Sequence, residues 1–169
     1  MTRRLLVAAI ESWRGGSVSE LKEIEQEFQS CAGYTRFLLE CMDVSHLEVG
    51  ATWLLKSHVE SGGLLNAEKR QGMVRRLPCL TSWQSKLHLL QVLSVMDTPR
   101  GVSAILGEFI RGCITDENRF VRAWACSAIC HLAEQDEDYS REAEDVLVLA
   151  ESDDSAAVRA RVRQLKRKR

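Results

Sequence analysis

Three stretches of this chain align without gaps: Ser85-Lys86-Leu87-His88-Leu89, Val121-Arg122-Ala123-Trp124-Ala125 and Val158-Arg159-Ala160-Arg161-Val162. They lie 36 and 37 residues apart. A further step of 36 back from Ser85 lands on Val49-Gly50-Ala51-Thr52-Trp53, which also opens an apolar-periodic segment. Self-similarity at such a period marks a repeat architecture, in which each supersecondary unit buries its apolar face against its neighbours. A period of this length holds two helices and a turn, and 169 residues hold four to five such units. A second relation follows the same offset. Asp116 precedes Arg122 by six residues, and Asp153 precedes Arg159 by six. A turn carboxylate and a guanidinium early in the next helix can clip elements together, within or between units, by charge-assisted hydrogen bonds.

Helical periodicity fills the units. From Asp116 to Glu134, Val121, Ala125, Ala128, Ile129 and Leu132 make one apolar stripe, with Arg122 and Ser127 off it. Thr81 and Gln84 read as a capping box before Trp83. Thr98 reads as an N-cap with Pro99 at the first helical position. Ser17 with Glu20 opens Val18–Gln29, and Asn66 caps Ala67–Arg76. Shorter patterns cover Leu5–Trp13, Thr35–Met42, Leu47–Glu60, Tyr139–Ala150 and Ala156–Lys168. Two prolines and ten glycines are too few for a chain of many β-turns. The expectation is an all-α fold of about ten helices.

The strings Asp116-x5-Arg122 with Val121-Arg122-Ala123-Trp124-Ala125, and Asp153-x5-Arg159 with Val158-Arg159-Ala160, resemble the HEAT-repeat family. Ala51-Thr52-Trp53-Leu54-Leu55-Lys56, Leu87-His88-Leu89-Leu90-Gln91 and Phe120-Val121-Arg122-Ala123-Trp124-Ala125 extend the likeness to small uncharacterised HEAT-like proteins, a kinship that brings no activity with it. The middle unit carries Lys86 in place of Arg and no Asp in its turn. The resemblance implies a short right-handed α-solenoid of four to five helical hairpins over 1–169, with inner helices at 47–60, 82–96, 118–133 and 155–168 lining a concave face.

Acidic residues stand only at the ends of those inner segments, while Lys86, Arg122 and Arg159 align, as do His88, Trp124 and Arg161. As a stripe these six would form a groove for an acidic or phosphorylated protein, or for nucleic acid. The competing reading is structural: Arg122 and Arg159 pair with Asp116 and Asp153, and Trp124 covers a seam. The resemblance also brings HEAT-like alkylpurine DNA glycosylases into view, whose cleft joins a carboxylate to Trp and Arg. Trp53 and Trp124 are present here, but no mid-helix acid fills the carboxylate role. No catalytic residue is therefore expected. Ser127 and His131, four apart, lack a third group. The tryptophans at 13, 53, 83 and 124 do not share one repeat position and read mainly as packing residues.

No phosphate-binding loop, dinucleotide fingerprint, zinc-protease or nucleophile-elbow motif occurs. Six cysteines at 31, 41, 79, 113, 126 and 130 show no Cys-x-x-Cys. Cys126 and Cys130 share a helix face, but His131 points about 100° away from Cys130, so buried thiols are expected rather than a metal site. No cofactor is expected. The apolar run Leu5–Ile10 is too short for a signal core or a membrane span, and the chain reads as soluble and cytoplasmic, with no membrane partner.

The net charge of -1 conceals a strong local contrast. Residues 134–154 carry ten acids and one Arg, whereas 155–169 carry seven bases and no acid. The two segments are expected to pair as a polar cap, with a nucleic-acid-binding basic helix and tail over 155–169 as the alternative. The leading functional expectation is a non-enzymatic adaptor or scaffold that binds a protein partner through the concave face. The alternative is nucleic-acid binding through the basic inner face and tail.

Overall fold

A computed structural model describes residues 2–168. It is helical throughout, with ten α-helices and no strand among the described residues. They are α1 (Thr2–Trp13), α2 (Val18–Phe28), α3 (Tyr34–Cys41), α4 (Glu48–Glu60), α5 (Ala67–Arg76), α6 (Trp83–Leu93), α7 (Ser103–Ile114), α8 (Arg119–Ala133), α9 (Ser140–Ala150) and α10 (Ala156–Lys168). No described helix is long and apolar enough to cross a membrane. The chain divides into two compact units, Met1–His88 and Leu89–Arg169, and the division falls within α6. Arg169, the last base of the expected tail, lies outside the described residues.

In the first unit α1 packs on α2, α3 and α4, and α3 also packs on α5. Leu6, Ile10, Leu21, Leu38, Leu54 and Leu55 are fully buried between them. Each such side chain contributes about 1.5–3 kcal/mol relative to exposure. Gly50 stands at the repeat register where α6, α8 and α10 carry Lys86, Arg122 and Arg159. A Cβ there would meet Ile10 Cγ2 at 2.8 Å, so this position serves a close helix crossing instead of a charged contact. The capping expected at Ser17 and Asn66 forms, with Glu20 N–H donating to Ser17 and Lys69 N–H to Asn66.

The cap of α6 differs from the expected Thr81. Gln84 N–H donates to Ser82 Oγ at 3.2 Å. Thr81 is drawn away by Glu48 of α4, which is 2% exposed. The Glu48 carboxylate accepts from Thr81 N–H, Thr81 Oγ1 and Ser82 N–H at 2.9–3.2 Å. A buried carboxylate at a helix N-terminus is well placed, because the free N–H groups and the helix dipole both favour it.

In the second unit α8 is central, packing on α7, α9 and α10, while α9 packs on α10. Val121, Ala125, Ala128, Ile129 and Leu132 are all buried, as the periodicity requires. Helix α7 begins at Ser103, not at Pro99. Gly101 takes φ +77°, a left-handed conformation that breaks any helix begun at Pro99, and Thr98 N–H donates to Gln135 Oε1 instead. The side-chain caps of α6, α8 and α10 are Ser82, Asn118 and Ser155, each accepting from the N–H two residues on. Their spacings, 36 and 37, reproduce the sequence repeat.

Candidate functional site

Two residues along a helix turn the side chain by about 200°. Lys86 and His88 therefore leave α6 on different sides, as do Arg122 and Trp124 from α8, and Arg159 and Arg161 from α10. The six aligned residues fall into two sets with different surroundings.

The first set is a clip. Arg122 Nε and NH2 donate to Asp153 Oδ2 and Oδ1, both at 2.9 Å, and NH2 also reaches Asp154 Oδ1 at 2.6 Å. Its NH1 donates to the backbone carbonyls of Asp116 and Glu117 at 3.0 and 3.1 Å. The carboxylate partner of Arg122 thus belongs to the following hairpin, and its contact with Asp116 runs through the backbone. The Arg122 and Asp153 side chains are only 16% and 15% exposed. The guanidinium holds the Asp153 carboxyl down at about 2, helped by the Ser155 N–H, against the opposing effect of burial. Arg159 repeats half of the arrangement. Its NH1 donates to the carbonyls of Asp153 and Asp154 at 2.6 and 3.0 Å, and among the described residues no carboxylate faces its other edge. Lys86 occupies the same register on α6.

The second set makes lateral contacts at the repeat offset. Thr52 Oγ1 and His88 Nδ1 lie 3.1 Å apart and 36 residues apart. The Thr52 hydroxyl donates to the Glu48 carbonyl at 2.9 Å, so it accepts from His88, which places the imidazole proton on Nδ1. Burial, with Lys56 adding to it, lowers His88 to about 4. The ring is neutral near pH 7 and adds no positive charge to the face. In the second unit the Arg161 guanidinium lies over the Trp124 ring, 3.7 Å from its centroid and 37 residues on. Burial lowers the Arg161 pKa. Such a stack contributes about 0.5–2 kcal/mol. Both side chains remain partly exposed.

Phe120 extends this surface and escaped the alignment. It sits four residues before Trp124, on the same side of α8, and is 43% exposed, with Arg119 against its ring. The period-four spacing Phe120-x3-Trp124 is the sequence signal that identifies it. The other tryptophans have separate roles: Trp13 donates from Nε1 to the Ser17 carbonyl, Trp53 lies beside Lys56, and Trp83 is exposed.

The charge contrast near the end is resolved differently from a simple pairing of two segments. Lys166 meets Glu151, but Glu142 turns to Arg111 of α7, and Asp153 and Asp154 turn to Arg122 of α8. Arg163 and Arg167 of α10 stay exposed.

Ser127 and His131 do not bond to each other. The hydroxyl is buried without a partner, and His131 Nδ1 faces Glu134 at 3.2 Å. Among the described residues no group of three His, Cys, Asp or Glu side chains is placed to hold a metal. The six cysteines form no disulfide with one another, and burial pushes the Cys126 thiol up to about 12. The arrangement offers aromatic and cationic contact surface and a structural ion-pair clip. Comparison with protein-family models, with curated proteins and with solved structures finds no match to this chain.

Proposed function

We propose that the chain is a non-enzymatic HEAT-like helical-repeat module, a short right-handed α-solenoid that acts as an adaptor by binding a protein partner on its inner helices. The observation that carries this reading is the lateral contact between residues at one repeat position. Thr52 touches His88, and Trp124 lies under Arg161, at offsets of 36 and 37. Contacts at the repeat offset are what stacked, equivalent helices produce. The resulting surface carries Phe120, Trp124 and Arg161, and aromatic and Arg side chains are the types that anchor protein interfaces. Asp or Glu placed for proton transfer is missing from the middle of α8 and α10. Six cysteines without a disulfide suit a reducing, cytoplasmic compartment.

The experiment is affinity purification from the native cell, with the wild type beside the double variant Trp124→Ala, Arg161→Ala. The reading predicts a discrete protein partner that the variant loses while its helical circular dichroism is kept. Equal recovery by both chains contradicts the assignment of the face. Recovery of DNA or RNA instead, released steeply by salt, replaces it with the nucleic-acid alternative.

A further inference from the structure

Arg122 and Arg159 are the same device at two successive positions, and only one of them is complete. Both lie in the first turn of a helix, 37 residues apart. Both direct NH1 back to the two carbonyls five and six residues earlier, Glu117 and Asp116 for Arg122, Asp154 and Asp153 for Arg159. This pins each guanidinium in one orientation. The outward edge of Arg122, Nε with NH2, then receives the Asp153 carboxylate as a fork and Asp154 beside it. Among the described residues, the outward edge of Arg159 receives no carboxylate. Arg163 and Arg167 follow at four-residue steps on the same side of α10, exposed and without an acidic partner among the described residues, and α10 itself contains no acid.

We propose that this edge of α10 is a docking site for an acidic helix-start turn of another protein, an Asp-Asp pair immediately before a helix. The occupant is specified by the molecule itself, because the turn Asp153-Asp154-Ser155 is what fills the identical guanidinium of Arg122. In that turn Asp153 both takes the Arg fork and accepts the Ser155 N–H at 2.7 Å, so the ligand is a structured turn and not any anion. The pinning by two carbonyls matters physically. A guanidinium already held in position loses little freedom on binding and offers two parallel donors to one planar carboxylate. Arg163 and Arg167 add attraction along the axis and quicken encounter. A second copy of this chain is a poor occupant, since its own Asp153 and Asp154 are already held by Arg122. The site lies about 200° around α10 from Arg161, so its failure leaves the inner-face reading standing.

The test uses the whole protein and a synthetic, N-acetylated peptide copying residues 149–162, titrated to millimolar concentration. Binding is followed by the Nε–H resonance of Arg159 in nitrogen-15 spectra and by fluorescence anisotropy. Binding should shift the Arg159 Nε–H and leave that of Arg122 in place. Arg159→Ala should weaken binding about tenfold or more, and Arg159→Lys should not restore it, because a lysine offers a point charge and no fork. A peptide with Asn at both Asp positions should weaken to a similar degree. Circular dichroism of both variants checks that they fold. No Arg159 shift at millimolar peptide, equal binding by Arg159→Ala, or equal binding of the Asn peptide would each overturn the proposal. So would a single-stranded oligonucleotide of matching length that binds more tightly than the peptide and displaces it.

Discussion

Breaking the Arg122–Asp153 clip should cost far more than a surface ion pair of similar appearance. Exposed pairs contribute about 0.2–1 kcal/mol, because water screens them and both side chains lose freedom. Here the two side chains are 16% and 15% exposed, both Nε and NH2 bonds are 2.9 Å, and the guanidinium is held by two further carbonyls. Charge-assisted bonds in such a setting contribute about 1.5–3 kcal/mol. Asp154, 90% exposed, admits water to one side, which brings the expected Arg122–Asp153 coupling to about 1–2 kcal/mol. Asp153→Ala should cost about 1 kcal/mol more than the coupling alone, since it also removes the acceptor of the Ser155 N–H. The assay is urea unfolding of wild type, Arg122→Ala, Asp153→Ala and the double variant at pH 7. The sign of its pH dependence follows from the depressed Asp153 pKa. The stabilisation is complete above the unfolded carboxyl value near 4 and is lost as pH falls toward 2. A coupling below about 0.3 kcal/mol, or one unchanged at pH 2, would refute this reasoning.

Three other outcomes follow from the packing. His88, neutral in the fold with a pKa of about 4, should make the protein lose stability as pH falls from about 6.5 toward 4, because the unfolded chain takes up the proton first. The His88→Gln variant should lack about 2 kcal/mol of that slope in matched unfolding curves; parallel curves for the two chains would contradict the buried, neutral ring. The two α7 glycines should respond to alanine with opposite signs in thermal unfolding. A Cβ at Gly107 would stand 2.5 Å from the Tyr139 ring, so Gly107→Ala should destabilise by about 1–3 kcal/mol, whereas Gly112 faces open space and Gly112→Ala should stabilise by about 0.5–1 kcal/mol. Thiol labelling should modify exposed Cys79 first and Cys126 last, since burial holds the latter's thiol protonated. Equal rates at the two would contradict the placement of α8.

The sequence carried the helices and their repeat because both depend on local spacing. The stripe on α8 and the caps Ser17 and Asn66 use neighbours within one turn, and all of them form. The misplaced features depend on distant partners. Thr81 and Ser82 are equally good hydroxyl caps until Glu48, 33 residues away, engages Thr81. Thr98-Pro99 has the chemistry of a helix start, and only the left-handed Gly101 shows that the chain turns once more first. Arg122 has an Asp six residues before it and another 31 after it, and the fold gives the carboxylate role to the second. The aligned pairs Lys86/His88, Arg122/Trp124 and Arg159/Arg161 share a repeat register but not a helix side, a distinction that an alignment ignores and a rotation of about 200° imposes. His88 reads as a base in the sequence, and its neutrality comes from burial and the nearby Lys56.

The inner-face assignment meets its most direct test in backbone hydrogen exchange of the purified chain with and without its co-purified protein partner. Protection is expected on α8 and α10 around Phe120, Trp124 and Arg161, with α7 and α9 unchanged. Protection confined to α7 and α9, with the Trp124–Arg161 surface exchanging as in the free protein, would contradict it.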